Sequence, residues 1–67
     1  MEKINARYGL ESNGETSFRI IDCYKQEVTG DFWSSNGTWV FQLNDGRSRM
    51  GGYTKVLKSM KLMLRAN

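Results

Sequence analysis

The sequence predicts an α+β domain: an antiparallel sheet of four or five strands packed on one C-terminal helix, about residues 54–65. Three observations carry this reading. The dipeptides Asn13-Gly14, Asn36-Gly37 and Asp45-Gly46 tolerate the positive φ of tight hairpin turns, so each reverses the chain. Apolar residues alternate between those turns, which is the period of a half-buried strand. Past Gly51-Gly52 the apolar period lengthens to that of a helix.

Each element follows in chain order. Before the first turn, Ile4, Ala6, Tyr8 and Leu10 share one strand face, and after it Phe18, Ile20 and Tyr24 share another. Asp22 interrupts that second apolar face, while Ile21 and Cys23 lie opposite with Ser17, Arg19 and Lys25, which leaves the orientation of the run open. Residues 26–31 read as a loop. Phe32-Trp33 and residues 38–43 then flank the Asn36-Gly37 turn as a hairpin, with Trp39, Phe41 and Leu43 toward the core. Residues 47–50 make a short last strand with Met50 inward. Thr54 is placed to cap the helix, because its hydroxyl can accept from one of the free amide groups at the helix start. On that helix Val56, Leu57, Met60, Met63 and Leu64 fall within an arc of about 120°, opposite Lys55, Lys58, Lys61 and Arg65, and Leu62 lies exposed among the cations.

Sixty-seven residues allow one domain, residues 1–67, and a chain of this size buries only about 60% of its unfolded surface. Its 39% hydrophobic and 12% aromatic content is that of a globular protein. The single Cys23 has no partner for an internal disulfide and reads as a buried structural thiol. The opening residues lack a signal-peptide apolar run, and no stretch approaches the roughly 20 apolar residues that cross a bilayer. A cytoplasmic protein with no membrane partner is the expectation.

Charge is distributed very unevenly. Residues 1–45 hold four basic and seven acidic side chains, whereas the remainder carries Arg47, Arg49, Lys55, Lys58, Lys61 and Arg65 with no carboxylate. A segment this dense in cations repels itself and matches an anionic surface, most commonly nucleic acid. Catalysis is disfavoured: the chain has no His, its carboxylates are scattered, and Cys23 lacks an activating base. One thiol without imidazole supplies no zinc site, so neither metal nor cofactor is expected. Residues 46–53 reproduce the glycine spacing of a phosphate-binding P-loop, yet Gly52 and Tyr53 stand where that motif needs Lys and Ser or Thr.

From position 36 the chain reads Asn36-Gly37-Thr38-Trp39-Val40-Phe41-Gln42-Leu43, then Asp45-Gly46-Arg47-Ser48-Arg49 and Met50-Gly51-Gly52-Tyr53-Thr54-Lys55, followed by an amphipathic helix to Leu64. Over this part, under half of the chain, it resembles the arm-binding domain of tyrosine recombinases and, more distantly, the DNA-binding domain of plant ethylene-response factors. It departs from them at the helix start, where Val56 and Leu57 replace an alanine-rich stretch. The resemblance implies a three-stranded sheet on a C-terminal helix with the sheet face in the DNA major groove. Arg47 and Arg49 then match the basic strand residues that touch DNA, and Trp39 the aromatic of the middle strand.

The functional expectation is a small basic nucleic-acid-binding protein of the kind that serves as a phage or mobile-element regulator. Arg47, Arg49, Lys55, Lys58, Lys61 and Arg65 contact phosphates, and Gln42 with the strand arginines reaches base edges, in DNA or RNA. The alternative is an inhibitor or adaptor whose basic helix docks on an acidic host protein, with Trp33, Tyr53 and Leu62 as apolar anchors. Oligomeric state is open in both.

Overall fold

The computed structural model describes residues 2–65. Six strands and one helix follow in order: β1 (Glu2–Lys3), β2 (Tyr8–Ser12), β3 (Ser17–Asp22), β4 (Glu27–Ser35), β5 (Thr38–Leu43), β6 (Ser48–Gly51) and α1 (Tyr53–Met63). Every strand pairs antiparallel with the next, giving one sheet in the order β1-β2-β3-β4-β5-β6. The α+β architecture is the one the sequence predicts. The strand number is six, where four or five were expected.

The additional strand β1 and the lengthening of β4 both come from turns that carry no glycine. Residues 23–26 reverse the chain between β3 and β4, with Gln26 at φ 55°, and the nine residues that follow form the longest strand instead of the expected loop at 26–31. Asp22 builds that turn. Its carboxylate accepts from the Tyr24 and Lys25 amides at 3.0 and 3.2 Å, an Asx turn in which a side chain replaces a backbone acceptor. At the other site, residues 4–7 bend away from a strand that the alternation of Ile4, Ala6, Tyr8 and Leu10 had suggested was continuous. The Asn5 Oδ1 accepts from the amides of Arg7 and Tyr8, both at 2.9 Å, and its Nδ2 donates to the Leu64 carbonyl. Ala6 is consequently exposed while Ile4 and Leu10 are buried.

The predicted turns reverse the chain where expected. Asn36 and Gly37, at φ 53° and 80°, form the two-residue link between β4 and β5, the geometry that matches strand twist. After Asp45-Gly46 the register sets Arg49 opposite Phe41 and Met50 opposite Val40. Phe41 faces α1, so Met50 faces away and is 70% exposed, not inward; displacing a strand by one residue exchanges its faces. Cys23 is likewise exposed in its turn and not buried.

The helix crosses the sheet from the end of β6 toward the loop between β1 and β2, where Leu64 meets Asn5. Beneath it lie Leu10, Ile20, Phe32, Phe41 and Leu43, closed by Val56, Met60 and Leu64. Complete burial of Phe32 and Phe41 contributes about 1.5–3 kcal/mol each. Phe18, Phe32, Trp39 and Tyr53 form one aromatic cluster at the helix start, with Tyr53 edge-on to Trp39 at 5.1 Å between centroids. This packing, and not Thr54, fixes where the helix begins: the cap is Gly52 in extended conformation, with no side-chain hydrogen bond. The helix ends at Met63, two residues before the expected Arg65.

Two features lock the sheet. Asp22, only 3% exposed, takes a bidentate pair from Arg7, Nε at 3.0 Å and Nη2 at 2.7 Å, and the guanidinium lies over the rings of Tyr8 and Tyr24. The apparent flaw in the apolar face is thus a satisfied ion pair. In β4 the pairing shifts between Ile20↔Gly30 and Ile21↔Val28, leaving Thr29 as a bulge whose carbonyl accepts from the Asn44 amide at 2.8 Å. Beside the bulge Gly30 touches β5 so closely that an added Cβ would meet the Gln42 carbonyl oxygen and lie 2.9 Å from the Leu43 Cα.

Gly30→Ala is therefore expected to cost about 1–3 kcal/mol in urea denaturation, because two backbones and not a flexible side chain must part. Acid supplies a second test. The Arg7 hydrogen bonds hold the Asp22 carboxyl down to about 2 from its ordinary 3.8. A carboxyl depressed in the folded state stabilises the fold above its unfolded pKa and loses that contribution as pH falls toward the folded one. Urea midpoints measured from pH 5 to pH 2 should fall progressively below about pH 4, and Asp22→Asn should remove that part of the decline while lowering stability at pH 7.

Candidate nucleic-acid interface

The solvent side of α1 is built by helical spacing. Lys55, Lys58 and Lys61 recur every three residues, all exposed, and span about 9 Å along the axis at 1.5 Å per residue. Leu62 stands among them at 61% exposure, and Arg65 continues the cationic side just past the helix end, its Nε donating to the Leu62 carbonyl at 3.3 Å. Arg49 approaches from the sheet. Being opposite Phe41, it emerges on the same side of the sheet as α1, at the β6 edge, with Nη1 donating to the Ser48 carbonyl at 2.7 Å.

The ion pairs among the described residues are Arg7–Asp22, Arg19–Glu11 and Arg47–Asp45. None involves a helix cation. The first turn of α1 holds Lys55 and no acid, so the positive end of the helix dipole faces a positive charge. Lys58 falls in the second turn, and Lys61 in the last turn is favourably placed. Lys55, Lys58, Lys61 and Arg65 thus present positive charge on one side of the molecule with no ion pair among the described residues, and Arg49 lies at their flank.

Two members of the predicted set lie apart. Arg47 turns back on Asp45, donating from its backbone N at 3.0 Å and from Nε at 2.8 Å, and these contacts hold the Asp45 carboxyl below its ordinary value. Its charge is locally neutralised. Gln42 occupies the opposite face of the sheet, between Asp31 on β4 and Ser48 on β6. Trp33 shares that opposite face, paired with Val40, so the three apolar anchors divide: Leu62 on the helix, Tyr53 at its start with 40% exposure, and Trp33 across the sheet. The face free of the helix also carries Glu11 and Asp31. It is therefore the helix side, and not the open sheet face of the recombinase-like arrangement, that concentrates positive charge.

A depression of about 370 Å³ at one end of the sheet is lined by Arg7, Asp22, Lys25, Glu27, Asp45 and Arg47 among others. Two of its three cations are the paired Arg7 and Arg47, so it offers little free charge. Among the described residues no three His, Cys, Asp or Glu side chains converge on a metal position, and no helix is long and apolar enough to cross a membrane. A scan against protein-family models, a search of curated proteins and a search of solved structures each return no match.

Sequence reading could not assign Arg49 to the helix side, because that depends on the register after a four-residue turn. It also missed the open face as a surface in its own right. The Arg19–Asp31 register pair belongs to it and follows from alternation once β4 is recognised as a full strand, and the exposed Met50 belongs to it through the same register that turns Arg49 to the helix side.

Proposed function

We propose that the protein binds nucleic acid, DNA or RNA, by laying the outer side of α1 along the phosphate backbone. The observation that carries this is the row of Lys55, Lys58, Lys61 and Arg65, unpaired with any acid among the described residues. Side-chain ammonium groups on flexible stems can each reach a phosphate along a backbone, and Arg49 adds a forked donor at the edge of the same surface. Such contacts position a protein without reading sequence. A small regulator in the manner of phage or mobile-element proteins is the corresponding biological class.

Leu62 favours a second reading, an inhibitor or adaptor for an acidic host protein. An apolar side chain 61% exposed amid cations is what the core of a protein interface uses, whereas a phosphate backbone gains nothing from it.

Fluorescence anisotropy of labelled duplex DNA, single-stranded DNA and RNA across a salt series distinguishes the two. Four phosphate contacts predict a slope of about −3.6 for log K against log salt on duplex DNA, a loss of roughly a hundredfold from about 50 to 200 mM. Lys55→Gln with Lys58→Gln should halve the slope to about −1.8. Leu62→Ser should leave it unchanged. Failure to bind any of the three at low salt, with host-protein capture that Leu62→Ser abolishes, would select the second reading.

A further inference from the structure

The sheet face that α1 leaves uncovered is made of cross-strand pairs that complement themselves. Across β3 and β4 the pairs on this face are Ile21 with Val28, Arg19 with Asp31, and Ser17 with Trp33. Val40 and Met50 extend the Trp33 row across β5 and β6. Val28 and Met50 are 44% and 70% exposed, and Ile21, Trp33 and Val40 are half-buried, so the face is both apolar and accessible. It is not neutral in pattern: Glu11, Arg19 and Asp31 alternate in sign across β2, β3 and β4.

We propose that this face is the interface with a second copy of the same chain, the two sheets packing face to face about a two-fold axis that runs along the strands midway between β3 and β4. That operation exchanges β3 with the β4 of the other copy while keeping each residue at its own height along the strands. Arg19 then lies over Asp31 of the second copy, and Asp31 over its Arg19. Ile21 meets Val28 twice over, and the indole of Trp33 covers Ser17. A two-fold across the strands at the height of this row is disfavoured by charge, because it sets Arg19 against Arg19 and Asp31 against Asp31. The aligned packing that results, with sheets about 10 Å apart and strands within about 30°, is the ordinary geometry of two packed sheets. A standard interface of about 800 Å² per partner is under a fifth of the 4440 Å² surface of this chain. The proposal does not depend on what α1 binds.

Sedimentation equilibrium on the full chain tests it. Wild type should pass reversibly from the 7.7 kDa of one chain to twice that mass as concentration rises through the micromolar range. Arg19→Asp alone and Asp31→Arg alone should each weaken association at least tenfold, since each sets like charges across the interface at two places. Mixing these two variants should restore the double mass, because only the heterodimer pairs Asp with Arg at both places, although each chain keeps its own altered neighbours. Val40→Lys, an exposed-face change that touches no ion pair, should also hold the chain at its single mass. Circular dichroism confirms that each variant is folded. A wild type that stays at 7.7 kDa into the high micromolar range overturns the proposal, as does a dimer indifferent to both charge reversals or a mixture that remains monomeric.

Discussion

One eleven-residue helix closes one face of a six-stranded sheet, and the rest of the molecule is arranged around that single contact. Phe32, Phe41 and Met60 lose all contact with water only because α1 lies obliquely over the strands, from the aromatic cluster at Tyr53 to the Asn5 loop at Leu64. Without the helix the sheet would be a single layer with an exposed apolar face, which is not stable in water. With it there is still only one core. The opposite face must meet solvent or something else.

This arrangement separates charge as well as layers. Three cations within the sheet region are matched: Arg7 by the buried Asp22, Arg47 by Asp45, and Arg19 by Glu11 at 3.7 Å. The helix cations are not, and Lys55 lies in the first turn, where the dipole opposes it by about 0.3–1 kcal/mol. Glu or Asp at position 55 would favour the helix start. Lys55 stands there against that preference, on an element whose packing is decided by its other side, and the proposed contact with a polyanion would offset the cost.

How much of this was legible in the sequence depended on which physical signal each element carries. Turns made by backbone freedom announce themselves, and Asn36-Gly37 does so through residues that accept positive φ. Turns made by a side chain are quieter. Asp22 and Asn5 each organise a reversal with their own oxygens, and both reversals were read through as strand or loop, which hid β1 and the first half of β4. The amphipathic helix was legible because its period is intrinsic, whereas its start was set by Tyr53 packing on Trp39, a contact between elements. The same division holds for the candidate site. Lys55, Lys58, Lys61 and Arg65 share a side by helical geometry alone, but Arg49 and Met50 took their faces from a register that local sequence does not encode.

The two outer surfaces are chemically distinct and separated by the core, which has a consequence for how they act together. The helix side offers unpaired positive charge and one apolar residue; the open sheet side offers an apolar row and alternating charges that complement a copy of themselves. Electrostatic attraction between a polyanion and α1 therefore neither requires nor blocks pairing of the open faces. A face-to-face dimer carries its helices on opposite outer sides, since each lies on the far side of its own sheet. Two cationic helices facing away from each other cannot grip one straight duplex cooperatively. They would hold two separate segments, so occupancy of one helix leaves the other free, and cross-linking of strands, not tighter binding to a single one, is the mode that this geometry allows.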